Sequence, residues 1–305
     1  MADFTISIVG LGVTGTSLGL ALKQASKEVR VVGHDREPAA ASAAHKAGAV
    51  DRTDWNLINA CREASIVILA LPLGAIRDTM AAIAPDLAEG CLVTDTAPLK
   101  RPVLAWAREV LPPHVHFVGG DPIGVRGRPA AAAELFTGTT YCLCPDSSTP
   151  AAAVERASDL AVAVGATPRY LDPAEHDGLV AMLDQLPFLL GAALLRAAAA
   201  SPSWAELRKL GCGRFDQLLA ALGESPAVEL ELAQANAGNV GRCIDHLQET
   251  LSALRELLAG EPAGTEAAAK KLLESRREWE SHESEPSMAP PAQQSSGLRR
   301  LFWPT

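Results

Sequence analysis

The hexapeptide G10-L-G12-V-T-G15 stands directly after the apolar run ISIV and opens a helical pattern from Thr14 to Gln24. A glycine-rich turn between a strand and a helix constrains this chain more than any other feature, because it is the fingerprint of a dinucleotide-binding βαβ unit. Gly10 permits the tight turn, Gly12 lets the backbone approach a pyrophosphate, and Gly15 lets the helix pack close to the sheet. The helix N-terminus, with Val13 and Thr14 in its first turn, offers free N–H donors and a partial positive charge to the diphosphate. The next apolar run, VRVVGHD, ends in Asp35, twenty residues past Gly15. A carboxylate there accepts hydrogen bonds from the ribose hydroxyls, which predicts NAD as the cofactor. Arg36 beside it keeps NADP as the alternative, since a guanidinium stacks on adenine or holds a 2′-phosphate.

Short β-branched runs recur through residue 171: TISIVG, VRVVGHD, SIVILALP, CLVTDT, HVHFVGG, TTYCLC and TPRYLD. Little polar alternation interrupts them, as expected of strands buried on both faces of a mostly parallel sheet. Helical patterns at Thr14–Gln24, Ala75–Leu87 and Pro102–Val110 lie between them, so the reading is an α/β, doubly wound Rossmann-type domain. After Asp172 the strand-like runs stop, and alanine- and leucine-rich segments at Ala174–Ala200, Trp204–Leu222 and Val228–Leu258 predict an all-α domain. A stripe of Leu232, Asn236, Val240, Ile244, Leu247, Leu251, Leu254 and Leu258 at helical spacing serves either as core or as a subunit contact. The expected division is 1–172 dinucleotide-binding, 173–260 helical, and 261–305 a largely disordered tail rich in Glu, Ser, Pro and Gln, with room for a short helix near Ala267–Trp279.

With a net charge of -9, the chain lacks the clustered Lys and Arg that nucleic acid or an anionic membrane requires. A small-molecule partner is expected instead. The N-terminus MADFTISIVG has no basic leader, and no run is read as approaching the roughly 20 apolar residues of a membrane span, which predicts a cytoplasmic protein. The 6 cysteines form no CxxC pair, so neither a zinc site nor a disulfide framework is predicted. No Ser-His-Asp elbow, Walker loop or acidic metal cluster is present.

Further stretches, taken with the glycine loop, resemble the prephenate/arogenate dehydrogenase family over roughly residues 4 to 258. They are GLGVTGTSLGLALK, GHDRE, the ALPL loop at 70–73, V93-T-D-T-A-P-L-K100, F117-V-G-G-D-P-I-G124, E134-L-F-T-G138 and E175-H-D-G-L-V-A-M-L-D-Q-L-P187. The resemblance implies a dinucleotide domain whose site includes Leu71 and Pro72, a helical domain that forms a homodimer, and an active site in the cleft between them. It also implies oxidative decarboxylation of a cyclohexadienol. That chemistry sends hydride from a carbinol carbon to nicotinamide, the hydroxyl proton to a base, and CO2 to solvent.

Several positions depart from the family pattern. The histidine of its G-x-H-P loop is Asp121, the serine of D-x-G-S-x-K is Pro98, and S-H-L-P-H becomes D184-Q-L-P-F188, placing Gln185 and Phe188 where histidines stand. The arginine of D-x-T-R falls at Leu219, with Arg208 or Arg214 as stand-ins. Two readings stay open. In one, Asp121 is the base, its pKa raised by burial, and Lys100, Asp184 and Gln185 line the pocket, Asp121, Lys100 and Gln185 being the catalytic candidates. In the other, the site is degenerate and the chain is a dinucleotide-binding sensor, scaffold or regulatory subunit. His116 is a replacement base if the strand tip turns inward, whereas His176 at a helix start reads as structural or as part of a hinge.

Overall fold

Runs of Ile and Val that bury both faces need helices on both sides of the sheet, and the chain supplies them. The structure, a computed structural model, describes residues 4–125, 130–211, 213–220, 222 and 225–283. Among these, the strands and α-helices to residue 170 are β1 (Thr5–Val9), α1 (Val13–Ala25), β2 (Arg30–His34), α2 (Pro38–Lys46), β3 (Arg52–Thr53), α3 (Leu57–Cys61), β4 (Ile66–Leu69) and α4 (Leu73–Ile83). β5 (Leu92–Asp95), α5 (Arg101–Val110), β6 (His116–Pro122), β7 (Thr140–Pro145), α6 (Ala151–Ala163) and β8 (Thr167–Tyr170) follow.

The strands form one sheet in the order β3-β2-β1-β4-β5-β6-β7-β8. Every pairing is parallel except β6 with β7, which is antiparallel. Each expected strand is present, and the two-residue β3 is an addition that a periodicity argument cannot detect. Strand alternation divides the core. Ile6, Ile8, Val31, Ile66 and Ile68 pack on one face with Leu18 and Leu22 of α1 and Ala153 and Leu160 of α6. Val9, Val32, Val67, Leu69 and Val93 pack on the other with Ile76 and Met80 of α4 and Val103 and Leu104 of α5. Strand order reverses between β1 and β4, which opens a crevice at the strand C-termini where α/β sheets bind ligands.

Contacts divide the described chain into two compact units, one running to Asp177 and one beginning at Gly178. Beyond the sheet lie α7 (Pro173–Val180), a π-helical turn (Ala181–Gln185), α8 (Leu186–Ala199), α9 (Trp204–Leu210), α10 (Arg214–Ala220), α11 (Pro226–Ala235), α12 (Ala237–Ala259) and α13 (Pro262–Glu283). Two expectations are corrected. Residues 262–283 form a 22-residue helix, longer than the short one expected near Ala267–Trp279, because Ala, Leu, Lys and Glu are good helix formers even where little apolar surface is buried; residues 284–305 of the expected tail lie outside the described residues.

The second correction concerns Pro173–Ala199. This stretch has an 18-residue window of mean hydropathy 1.8, long and apolar enough to cross a membrane by length and composition. Asp184 and Gln185 interrupt the run, yet the surrounding Leu, Ala, Val and Met dominate its average. The stripe beginning at Leu232 divides too. Leu232, Asn236 and Val240 are buried, whereas Leu251, Leu254 and Leu258 are exposed.

Ile68 has no exposed surface, so Ile68→Ala removes a packed side chain from the sheet centre. Urea unfolding is expected to register a loss of about 2–5 kcal/mol.

Candidate active site

The glycine loop is held by its own backbone. Gly10 has φ +93°, and a Cβ there would lie 2.3 Å from the Ala70 carbonyl oxygen. A Cβ on Gly15 would lie 1.9 Å from the Gly10 carbonyl oxygen. Both glycines therefore close the β1–α1 turn against the end of β4, where Leu71 lies beside Gly10 and the exposed Pro72 precedes α4. Gly12 is different: it precedes α1 and has open space beyond its Cα. The turn thus leaves the helix N-terminus, with partly exposed Val13 and Thr14, open rather than packed against protein, as an anion-binding helix start requires.

Asp35, at the end of β2, accepts from the Leu11 backbone N–H at 2.7 Å through Oδ2 and from the Glu37 N–H at 2.8 Å through Oδ1. The carboxylate that would meet a ribose is therefore oriented by the glycine loop itself. Arg36 is largely exposed, with Nε 3.8 Å from Glu37 Oε1.

The second cluster lies at the ends of β5 and β6. Lys100 is fully buried, and its Nζ donates to Asp95 Oδ2 and to the Gly120 carbonyl oxygen, each at 2.5 Å. Asp95 also accepts from the Gly120 and Ala97 backbone N–H groups. Burial pushes the Asp95 carboxyl up, against the pull of Lys100 and these donors. Lys100 was expected as a catalytic residue. Its ammonium is instead enclosed, and it clamps the residue before Asp121.

The antiparallel register sets Asp121 opposite Cys142 and Gly119 opposite Cys144. Strand alternation puts these residues on the face toward Lys100, whose Cδ lies 3.0 Å from a Cβ built on Gly119. Asp121 is 4% exposed. His176 Nε2 lies 3.3 Å from Asp121 Oδ2, an ion-pair distance outside hydrogen-bond alignment, so this buried nitrogen has no hydrogen-bond partner among the described residues. His176 Nδ1 lies 3.1 Å from Asp177 Oδ1. Asp177 in turn accepts from the backbone N–H groups of Lys100 at 2.7 Å and Arg101 at 3.0 Å, at the N-terminus of α5.

Burial works against a charge on His176, but Asp121, Asp177 and Cys142 outweigh it and push the imidazole up to about 10. Sequence reasoning left His176 with a structural role and missed this contact. The available signal was that H176-D177 is an imidazole next to an acid at the foot of a helix. His116 fails as a replacement base, because β6 runs straight from His116 to Pro122 and puts it at the opposite end from Asp121.

In the second unit, Gln185 is buried and its Oε1 accepts from Asn236 Nδ2 at 2.8 Å, while its Nε2 has no hydrogen-bond partner among the described residues. Phe188 is buried as well. Leu219 lines a cavity of about 360 Å³ together with Arg208, Trp204 and Phe215. Among the described residues no cluster of His, Cys, Asp and Glu could hold a metal ion.

Two family models match in succession, a prephenate dehydrogenase nucleotide-binding domain over residues 18–169 and a prephenate dehydrogenase dimerization domain over residues 172–275. The chain belongs to the prephenate dehydrogenase family. Within that family it is 28% identical over 264 residues to a prephenate dehydrogenase of Bacillus subtilis, covering 85% of this chain and 71% of the relative. It is 26% identical over 261 residues to a cyclohexadienyl dehydrogenase of Zymomonas mobilis, covering 84% and 89%. The fold matches a prephenate dehydrogenase from A. aeolicus in complex with hydroxyphenyl propionate and NAD+ (TM-score 0.80, 22% identity, 93% and 99% covered). It also matches a Synechocystis arogenate dehydrogenase (TM-score 0.79, 23% identity, 90% and 100% covered). The expected Rossmann-type fold and family are both borne out.

Two outcomes follow from the buried charges. Lys100→Met leaves Asp95 without its cation, and thermal or urea unfolding is expected to show a loss of about 3–5 kcal/mol. For His176, the folded-state value lies above the ordinary 6.5, so its contribution is fully present below about pH 6.5 and is lost as pH rises toward about 10. The stability difference between wild type and His176→Gln is expected to shrink between those limits in urea titrations at successive pH values.

Proposed function

We propose that the chain is an NAD-dependent dehydrogenase that oxidatively decarboxylates prephenate, arogenate or a close cyclohexadienol relative, on the path to tyrosine. The observation carrying this reading is the carboxylate of Asp121, held at the position of the family's base with an imidazole 3.3 Å behind it. A degenerate site would have no reason to keep a buried acid in register with a buried, paired histidine, so the sensor or scaffold alternative is not taken.

Gly10, Gly12 and Gly15, with Val13 and Thr14, hold the pyrophosphate; Leu71 and Pro72 flank it, and Asp35 holds the ribose. The open space at Gly12 fits a dinucleotide. Bound nicotinamide supplies the hydride acceptor. Asp121 accepts the substrate hydroxyl proton as hydride leaves the carbinol carbon, and the bond to the departing carboxylate gives its electrons to the ring as CO2 is lost. Lys100 positions rather than reacts, because its ammonium fixes the Gly120 carbonyl and with it the end of β6. Gln185, whose amide nitrogen has no hydrogen-bond partner among the described residues, is a substrate contact.

Arg36 does not displace NAD as the preferred cofactor, because Asp35 is already oriented for a ribose and repels a 2′-phosphate. The molecule is a cytoplasmic homodimer joined through the helical unit. Exposed Leu179, Met182, Leu183 and Leu194 on the apolar stretch, with Leu251, Leu254 and Leu258 on α12, supply the apolar surface for that contact. We read the stretch as a subunit contact and not as a membrane span, in keeping with the dimerization domain that matches it.

Asp121→Asn is expected to keep NAD affinity within about twofold in calorimetry and to lose turnover by about 10²–10⁴-fold with prephenate or arogenate. Undiminished turnover would remove Asp121 from the mechanism, and an NADP affinity above that for NAD would overturn the role given to Asp35.

A further inference from the structure

We propose that His176 is the fixed counter-ion of Asp121, a positioning residue that allows a carboxylate to occupy the base position opposite an anionic substrate. This rests on the reading of Asp121 as proton acceptor.

The charges around the pair decide its role. Asp121 and His176 are 4% and 1% exposed, and a buried carboxylate needs either a cation or a proton. Three titratable groups face His176: Asp121 from β6, Cys142 from β7, and Asp177 from its own helix. The negative charge of Asp177 is met by the first backbone donors of α5, Lys100 N–H and Arg101 N–H, where the helix dipole also favours an anion. The ammonium of Lys100 is committed to Asp95 and the Gly120 carbonyl. Among the described residues, the imidazolium of His176 is therefore the cation left for Asp121.

The consequence is electrostatic. A carboxylate and an imidazolium side by side carry no net charge, as does the neutral imidazole of the family pattern at position 121. Replacing that imidazole by Asp alone would set an extra negative charge against a substrate that carries carboxylates of its own. With His176 beside it, the base position stays neutral overall. The Nε2 to Oδ2 approach lies outside hydrogen-bond alignment, so Asp121 is paired in charge while no directed hydrogen bond from His176 occupies Oδ2, the oxygen left to take the substrate hydroxyl. In the proton step the substrate O–H bond breaks and a carboxyl O–H bond forms on Asp121. His176 keeps both of its ring protons throughout.

The test is a double-mutant cycle read by binding. Wild type, His176→Gln, Asp121→Asn and the double variant, each saturated with NAD, are titrated with hydroxyphenyl propionate by calorimetry at about pH 7.5. His176→Gln is expected to weaken binding about tenfold in the wild-type background and less than about twofold in the Asp121→Asn background. Equal weakening in both backgrounds, or no weakening in either, overturns the counter-ion role.

Nitrogen NMR of the wild-type holoenzyme keeps the proposal testable if a variant does not fold or the probe does not bind. Both ring nitrogens of His176 are expected to carry protons at about pH 8; a neutral ring there overturns it. Turnover by Asp121→Asn would instead defeat the reading of Asp121 as the base, a result separable from the outcome of the cycle.

Discussion

Lys100 organises the candidate site through two different parts of the same residue. Its buried ammonium bridges Asp95 and the Gly120 carbonyl, which fixes where β6 ends and hence where Asp121 stands. Its backbone N–H, with that of Arg101, holds Asp177, and Asp177 holds His176. One helix N-terminus thus supports both halves of the Asp121–His176 pair. An ion pair of this kind contributes little net stability once desolvation is counted, but it is costly to break on one side. Its value here lies in geometry, because it delivers the Asp121 carboxylate to a buried position with the His176 imidazole 3.3 Å away.

The dinucleotide half follows a similar economy of contacts. Asp35 is oriented by the Leu11 N–H inside the glycine loop, so the acid proposed to select the ribose and the turn proposed to receive the pyrophosphate are one hydrogen-bonded unit. Gly15 packs against Gly10 while Gly12 stays open. The family model begins only at residue 18, so the geometry of this loop, more than the family match, supports its assignment.

The sheet was legible in the sequence because strands buried on both faces must be apolar almost throughout, and runs such as SIVILALP have few other uses. The glycine loop was legible because its three glycines answer three separate steric demands. The surroundings of Lys100 were not legible for a physical reason: a lysine in a motif looks available for chemistry, and only the fold reveals that Asp95 and a carbonyl enclose it. His176 was missed because its partner lies 55 residues earlier, as 121 and 176 are numbered, and side-chain pairing at that separation leaves no periodic trace. The full length of the helix at 262–283 was not legible because composition reports whether a segment can bury a core, not how far a helix extends.

The central claim is that this altered site still performs the family's chemistry, with an acid in place of the imidazole. The most direct measurement is stoichiometric: CO2 and reduced nicotinamide counted together as prephenate or arogenate is consumed by the NAD-bound protein. The account predicts one of each per substrate consumed with at least one of the two. Tight binding of NAD and of an anionic analogue, with neither product formed from either substrate, would contradict it.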